Sequence, residues 1–289
     1  MTLSASHAHD RTLTRLRSLS WLVPVPAAEA SLQPAGMPSG SASGIFLLVR
    51  ILFALLLFAP LLFAKGPDAH ARSQPFELLT RRMDVDVDGA PNAYGPPGSQ
   101  ALDSLDHAHY RGWQDAEVVG YLTEKGHPKT PVRQGPRDPY PGLYISQTAF
   151  TDAAHPQETD VLRYVDATRI NYVVLGTEAH QHGARLGDFV AAYSRTTHRS
   201  VFGIVGDSGN PSGDEGSLHL LQDLGYPFRD GVHDAVETRE IVVRYFPRSN
   251  PHEMFFRSEA ALDAAATRDG LSRDFSGSPL AHPSHPKGR

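Results

Sequence analysis

The stretch SVFGIVGDSGNPSGDEGSLHLLQDL, Ser200–Leu224, decides the fold of this chain. It opens with the apolar run Val201–Val205, which is short enough for one buried strand. Gly206 ends that run, and the loop 208–214 that follows is rich in Gly, Asn and Pro, residues that favour turns. Ser217 can cap a short helix, because leucines then recur at three-residue spacing at Leu218, Leu221 and Leu224. The stretch therefore predicts a strand, a turn and a short helix.

Two acidic residues flank the turn. Asp207 follows the predicted strand and Glu215 precedes the predicted helix, eight positions further along. A turn that folds back can aim both side chains into one cleft, and two facing carboxylates are what glycoside hydrolysis requires. The alternative, from spacing alone, is a glycine-rich loop whose acidic residues only solvate the turn.

Short apolar runs continue on both sides of this stretch. The chain holds 25 glycines and 23 prolines, which favour many turns and short strands. Glu259–Ala266 is a candidate for a second short helix. The other predicted strands are Ala116–Leu122, Leu143–Phe150, Asn171–Gly176, Gly187–Tyr193 and Glu240–Phe246. This pattern predicts a mainly β fold, a small β-barrel or sandwich with long loops and one or two short helices, rather than alternating β/α units.

An acidic segment, MDVDVDGAPNAY at Met83–Tyr94, lies upstream. Its aspartates alternate with valines and precede a glycine, as in the first half of a calcium loop. The twelfth position is Gly95 rather than a bidentate Glu, so the second half of that motif is missing. The alternative is a strand with acidic residues on one face. His180 and His182 lack a third ligand, and we predict no metal and no cofactor.

The N-terminal part carries an apolar run of 14 residues, Ile51–Ala64, just after Arg50. That is short for a membrane span and sufficient for the core of a signal peptide. The small-x-small triplet 69–71 places the cut after Ala71. A start at Met37 would give a leader of ordinary length, and the alternative is an uncleaved anchor over Ile45–Ala64.

These observations divide the chain into a leader (1–71), a catalytic domain (72–247) and a partly disordered C-terminal extension (248–289). We expect a secreted or periplasmic protein that is a monomer and that contacts a membrane only through an uncleaved leader.

Composition excludes several classes of function. The chain has no cysteine, which excludes disulfides, zinc–thiolate sites and thiol nucleophiles. Its net charge is −5, and removal of residues 1–71, with five Lys/Arg and three Asp/Glu, leaves −7. Mild acidity does not suit nucleic acid or anionic membranes. It suits a cationic ligand, although it is also an ordinary aid to solubility.

Three segments in this order, Tyr164–Gly176, Gly183–Tyr193 and Ser200–Leu218, resemble glycoside hydrolase family 75, the fungal and bacterial chitosanases, and here the bacterial branch. Met83–Tyr94 and Leu143–Phe150 also resemble parts of that family. The resemblance covers nearly the whole predicted core.

The resemblance implies an inverting endo-hydrolase of chitosan. The family's essential carboxylates are the Asp of a Gly-Asp-(Ser/Thr) segment and the Glu of a Gly-Glu-(Ala/Gly)-Ser segment, which match Asp207 and Glu215. Asp214 stands where the family pattern has Gly, and the loop between the two carboxylates is shorter than in the fungal enzymes. The Asp-Ser-Gly turn also resembles the catalytic turn of double-psi β-barrels, which favours that barrel.

Inverting hydrolysis needs a protonated acid and an ionised base across the sugar. We assign Glu215 as the acid and Asp207 as the base that positions water, with the reversed assignment left open. Asp214, if it points inward, supplies a charge that raises the pKa of Glu215. Asp84, Asp86 and Asp88 are candidates to bind substrate ammonium groups.

Tyr172 and Tyr193 fit core packing better than sugar stacking.

Two other functions remain open. One is a barrel that binds cell-wall polysaccharide without cleaving it. The other is a hydrolase or lyase of a different amino-sugar polymer, such as peptidoglycan.

Overall fold

The computed structural model describes residues 74–110 and 117–282. The strands of this part are β1 (Phe76–Leu79), β2 (Met83–Asp86), β3 (Thr123–Glu124), β4 (His127–Pro131), β5 (Tyr172–Leu175), β6 (Phe189–Ser194), β7 (Ser200–Ser208), β8 (Glu215–Ser217), β9 (Ala235–Val236) and β10 (Ile241–Tyr245). The α-helices are α1 (Thr177–Gln181), α2 (Leu218–Asp223) and α3 (Glu259–Arg268).

Eight of the strands form one curled sheet, half of a barrel, in the order β1-β10-β6-β7-β5-β8-β2-β9. Strands β3 and β4 form a separate hairpin. Neighbours are antiparallel from β1 to β7, whereas β5 runs parallel to β7 and β2 runs parallel to β8. The predicted mainly β fold with few short helices is confirmed.

The central strand is longer than the sequence predicts. It continues through Gly206 to Ser208, so that Asp207 lies within β7 and not in the loop. Gly206 is the extra residue of a bulge in the pairing of β7 with β5. A Cβ at this position would approach the Cβ of Tyr172 to 2.6 Å, so the packing requires glycine. A bulge re-aims the side chains next to it, and the next side chain is that of Asp207.

The predicted capped helix is present as α2. The Ser217 hydroxyl accepts a hydrogen bond from the backbone N–H of Leu220 at 3.1 Å, which satisfies a donor that the first turn leaves free. Leucines 218, 220, 221 and 224 are all buried. Glu215 does not start the helix but opens the short strand β8, which leads directly into it.

Three predicted strands are confirmed as β5, β6 and β10, whereas two segments are not regular strands. In 117–122 and 143–150 the described residues make only isolated bridges: His109 with Val118, Tyr121 with Ser146 and Arg133 with Tyr144. Their backbone groups bond singly instead, as where the N–H of Leu122 donates to the Ile145 carbonyl at 2.8 Å and that of Gln147 to the Gly120 carbonyl at 3.1 Å.

Residues beyond 247, predicted as an extension, pack into the same core. Helix α3 lies against β7 and buries Leu262, Ala265 and Ala266. Phe256, Phe275 and Ala281 are also buried in this core. Of this predicted, partly disordered extension, 248–282 is described, and 283–289 lies outside the described residues.

The first strand ties this C-terminal part to the sheet. The Glu77 carboxylate of β1 accepts hydrogen bonds from Arg244 of β10 at 2.9 and 2.7 Å, and another from the hydroxyl of Ser278. Arg244 also donates to the carbonyl oxygens of Ser272 and Asp274. Residues 201 positions apart therefore meet at one carboxylate.

The predicted leader and the alternative anchor, within residues 1–71, lie outside the described residues. Across 74–110 and 117–282, none of the helices has the length and apolar character needed to cross a bilayer.

Candidate active site

A cleft of about 710 Å³ opens beside β2, β7 and β8 and is closed on other sides by loops 103–109 and 230–237. Among the described residues of its lining, carboxylates dominate and Arg82 is the single arginine. An excess of one charge in a concave site concentrates ions of the opposite sign. The acidic residues of the lining are Asp84, Asp86, Asp88, Asp103, Asp207, Glu215, Asp234 and Glu237.

Asp207 is 6% exposed and is held in a fixed orientation. Its Oδ1 accepts hydrogen bonds from the backbone N–H groups of Ala149 and Ser208, both at 2.7 Å. Burial raises the pKa of Asp207 well above its usual range, and nearby Asp86 adds to this rise, while the two N–H donors oppose it. Because Oδ1 carries both bonds, Oδ2 is the oxygen available to a ligand.

Glu215 opens β8 and pairs with Asp84 in the parallel ladder of β8 and β2. Burial raises the pKa of Glu215 to about 8, with Asp86 and Asp84 contributing and a hydrogen bond from Asn210 opposing. A carboxyl with this pKa is protonated at neutral pH, which is the state that a general acid needs.

Asp86 and Asp88 complete the group, and we call Asp86, Asp88, Asp207 and Glu215 the carboxylate cluster. The backbone N–H of Asp88 donates to Asp86 Oδ1 at 2.8 Å, and the Tyr94 hydroxyl donates to Asp88 Oδ1 at 2.7 Å. Burial raises the pKa of Asp86 to about 6. Burial, together with the charges of Asp86 and Asp207, raises the pKa of Asp88 well above its usual range.

The predicted acidic face of β2 is confirmed. Met83, Val85 and Val87 are buried, while the aspartates between them are partly exposed and line the cleft. This alternation follows from the two-residue period of an extended chain.

The sheet sets the spacing of the two predicted catalytic carboxylates. Strand β5 lies between β7 and β8, with Val174 paired to Asp207 and Val173 paired to Gly216, next to Glu215. Neighbouring strands of a sheet lie about 4.8 Å apart, and one strand separates β7 from β8, so the backbones of Asp207 and Glu215 are about 10 Å apart. Carboxyl groups of inverting glycosidases are separated by about 6.5–9.5 Å, which leaves room for a water molecule.

Asp214 does not join the other predicted site residues. It is 6% exposed, lines a second cavity of about 250 Å³, and binds Arg81 through Nε at 2.9 Å and a terminal nitrogen at 2.8 Å. Adjacent side chains of an extended segment point to opposite sides, so Asp214 turns away where Glu215 turns in. It still contributes, as the smallest of the named causes, to the raised pKa of Glu215.

Asp84 lines the cleft but already has a cationic partner. Arg82 bonds Asp84 and also reaches Glu237 at 3.3 Å. Burial raises the pKa of Asp84, and Arg82 opposes the rise. These three side chains form the charged rim beside Glu215.

Carboxylate oxygens of Asp86, Asp88 and Asp207 lie within 4.8 Å of one another. Hard divalent cations prefer such oxygen ligands, so these are the described residues that could hold one. Two of them belong to the incomplete calcium motif of the sequence, and the third comes from β7.

Several residues of the cleft could not be recognised from the sequence. Asp103, His107 and His109 belong to a loop without apolar periodicity, and His233 belongs to a second such loop. A carboxylate and a histidine four residues apart, at 103 and 107, are the only signal that could have drawn attention to them.

Tyr172 and Tyr193 pack in the core as expected, since they are 0% and 7% exposed. The Tyr172 hydroxyl donates a hydrogen bond to the backbone carbonyl of Asp88 at 2.9 Å and so fixes the backbone at one member of the cluster. His180 and His182 lie at the end of α1 and do not line the cleft.

A scan against models of known protein families gives no match for this chain, and no curated protein matches it.

Proposed function

We propose that this protein is an endo-acting glycoside hydrolase of chitosan-like glucosamine polymers, similar to family 75, and that it acts with inversion through Glu215 and Asp207. The observation that carries the proposal is the carboxylate cluster, in which three strands or strand ends bring four acidic side chains with raised pKa values into one open cleft. Perturbed carboxyl groups in a cleft are typical of catalytic sites.

Glu215 serves as the general acid. Its pKa of about 8 keeps it protonated at neutral pH, so that it can donate a proton to the glycosidic oxygen as the bond to the sugar breaks. The cause is environmental, because burial and neighbouring acidic groups disfavour a further negative charge.

Asp207 serves as the base that removes a proton from the attacking water. Its two backbone donors at 2.7 Å favour the charged form and fix Oδ1, which leaves Oδ2 to bind water. Burial is the main cause of its raised pKa in the free protein, and repulsion from Asp86 adds to the rise. A bound ammonium group reverses part of that repulsion and lowers the pKa of the nearby carboxyls, so a cationic substrate helps to ionise the base.

The same charge argument selects the substrate class. Asp84 and Asp86 of β2, and Asp88 just beyond it, provide acceptors beside Glu215. Glucosamine units carry ammonium groups that pair with these carboxylates, whereas an acetylated amine is neutral and leaves buried acidic groups without a counter-charge. The proposal therefore includes a preference for deacetylated polymer.

We also propose that the curled sheet belongs to a double-psi β-barrel. The support is its two parallel pairs, β5 with β7 and β2 with β8, within an otherwise antiparallel order. The bulge immediately before Asp207 fits a catalytic turn at the rim of a barrel.

Since a polymeric substrate does not enter cells, we propose export of the protein, as its leader predicts.

A second candidate is binding of an amino-sugar polymer without cleavage. The observation that favours it is the raised pKa of both Asp207 and Glu215, because a protonated Asp207 cannot accept a proton from water. Asp86, whose pKa is raised only to about 6, is ionised at neutral pH and would still help to retain a polycation.

The test is release of reducing ends from chitosan, compared with acetylated chitin oligomers and isolated peptidoglycan sacculi. The hydrolase predicts release from chitosan, with the α-anomer formed first from β-linked substrate. Co-sedimentation with chitosan without product supports the second candidate, and product only from sacculi supports a peptidoglycan enzyme. Full activity of both Asp207→Asn and Glu215→Gln would overturn the residue assignment.

A further inference from the structure

A histidine–aspartate pair lies in the cleft lining outside the carboxylate cluster. His107 Nδ1 is 2.8 Å from Asp103 Oδ1. The Asp103 side chain is 5% exposed, whereas the His107 ring is 50% exposed and lines the cleft. A buried carboxylate beneath an accessible imidazole is the arrangement that fixes ring orientation in functional sites.

The pair is held firmly in place. Asp103 Oδ1 also accepts the backbone N–H of Ser104 at 2.7 Å, and the N–H of Asp103 donates to the Ala93 carbonyl at 3.0 Å, next to Tyr94 of the cleft. Gly231 packs on the carboxylate so closely that a Cβ there would approach Asp103 Oδ2 to 2.5 Å. Both loops that close the cleft therefore support this one side chain.

The Asp103 contact decides which ring nitrogen carries the proton. Burial raises the pKa of Asp103, while the charge of His107 and the Ser104 N–H lower it. Asp103 Oδ1 already accepts the Ser104 N–H, so it acts as an acceptor and the hydrogen of the 2.8 Å contact lies on Nδ1 of His107. In the neutral ring Nε2 then presents a lone pair.

We propose that Nε2 of His107 is a second binding point for the polymer, accepting a hydrogen bond from an amino or hydroxyl group of a sugar adjacent to the one at the carboxylate cluster. This inference rests on the proposed function and extends it. It makes the cleft an acceptor surface from Asp86 to His107, matched to a ligand rich in N–H and O–H donors.

The position of the pair supports such an extension. Asp103 lies near enough to Asp86 for its charge to raise the pKa of that carboxyl. His107, Asp103 and the cluster line the same cavity of about 710 Å³. His233 offers a comparison in the same lining, because its Nδ1 lies 3.3 Å from Asp230 and its side chain is 78% exposed.

The experiment measures binding of a β-linked glucosamine hexamer in a Glu215→Gln background, where the oligomer is not consumed. His107→Ala should weaken binding about 2- to 10-fold, the effect of one neutral hydrogen bond. His107→Gln, which keeps an acceptor oxygen at the same reach, should retain most of the affinity. His155→Ala is the matched control, because it breaks a histidine–aspartate pair, with Nδ1 2.7 Å from Asp160 Oδ2, that does not line the cleft, and it should change affinity less than about twofold.

Long-range ¹H–¹⁵N spectra of the imidazoles at about pH 8, where histidines are neutral, give an independent readout. They should show the Nδ1–H tautomer for His107 and a shift of Nε2 when the hexamer is added. A Nε2–H tautomer, an Nε2 signal unmoved at saturation, or equal binding by His107→Ala and its parent would each overturn the inference.

These outcomes separate the inference from the proposed function. Binding without hydrolysis by the wild type, with loss on His107→Ala, contradicts the hydrolase and supports the second binding point. Hydrolysis of chitosan by the wild type, with unchanged hexamer binding by His107→Ala, supports the hydrolase and contradicts the second binding point. Failure of the folded parent to bind the hexamer at all overturns the inference.

Discussion

The backbone N–H of Ala149 donates a 2.7 Å hydrogen bond to Oδ1 of Asp207, 58 residues further along the chain. The loop that carries Ala149 is itself joined to β7, since the N–H of Phe150 donates to the Gly206 carbonyl at 3.0 Å. The consecutive N–H groups of Ala149 and Phe150 therefore hold both the Asp207 carboxylate and the backbone of β7 beside it. A preorganised acceptor of this kind does not need to reorient during a reaction.

Asp207→Asn should abolish most hydrolysis of chitosan and leave the fold intact. The amide keeps an oxygen for the Ala149 and Ser208 donors but cannot take a proton from water, so we expect kcat to fall about 100-fold or more. Asp263→Asn, on helix α3 and outside the cleft lining, is the matched control. Equal losses in the two variants would contradict the assignment of the base.

The activity of the wild type should decline as the pH rises through about 8, because Glu215 loses the proton that it must donate. Asp214→Asn should move this limb to lower pH, since it removes a negative charge near Glu215 from outside the cleft and leaves Arg81 uncompensated. The measurement is kcat against pH for both proteins. An unmoved limb would show that another group controls it.

Ionisation of Glu215 should also destabilise the fold. Its pKa in the folded state is raised, so its stabilising contribution is complete below its usual pKa and is lost as the pH rises through about 8. Between about pH 5 and 9, the free energy of unfolding of the wild type should fall on the order of 4 kcal/mol more than that of Glu215→Gln. Urea unfolding at both pH values measures the difference, and parallel curves would contradict it.

Tyr94→Phe should cost about 1 kcal/mol of stability and raise the pKa of Asp88 further, because the substitution removes the donor 2.7 Å from Asp88 Oδ1. Tyr121→Phe controls for loss of a hydroxyl from a neighbouring ring, whose centroid lies 5.7 Å from that of Tyr94. Thermal unfolding of the three proteins measures the effect. Equal midpoints for all of them would mean that the Tyr94 bond is not stabilising.

Gly206→Ala should destabilise the protein by about 1–3 kcal/mol and reduce activity, because the new methyl group meets Tyr172 and disturbs the bulge before Asp207. Gly277→Ala has open space around it and no positive φ, so it should be close to neutral. If both variants unfold at the same denaturant concentration, the tight packing at Gly206 is not needed.

The parts of the fold with local causes could be predicted from the sequence. The cap and leucine spacing of α2 lie within a few residues, and the alternation of β2 fixes an acidic face without reference to the rest of the chain. The apolar runs of β5, β6 and β10 are long enough to be recognised in the same way.

The parts with distant causes could not be predicted. Gly206 suggested the end of a strand, but its role depends on Tyr172 in a different strand. Asp214 points away from the cleft and is paired with Arg81, 133 residues away in the sequence. The link between Asp103 and Gly231 joins two loops without periodicity, so His107 has no local signal beyond its spacing from Asp103.

The meeting of Glu77 with Ser278 has a consequence for how the protein is made. The first strand of the sheet pairs with β10, and its carboxylate accepts a hydrogen bond from a hydroxyl 201 residues further along the chain. A nascent chain therefore cannot complete this edge until both β10 and residue 278 have emerged from the ribosome. A chain truncated before Ile241 would lack the partner strand of β1, and its open flank would be exposed to proteolysis and aggregation.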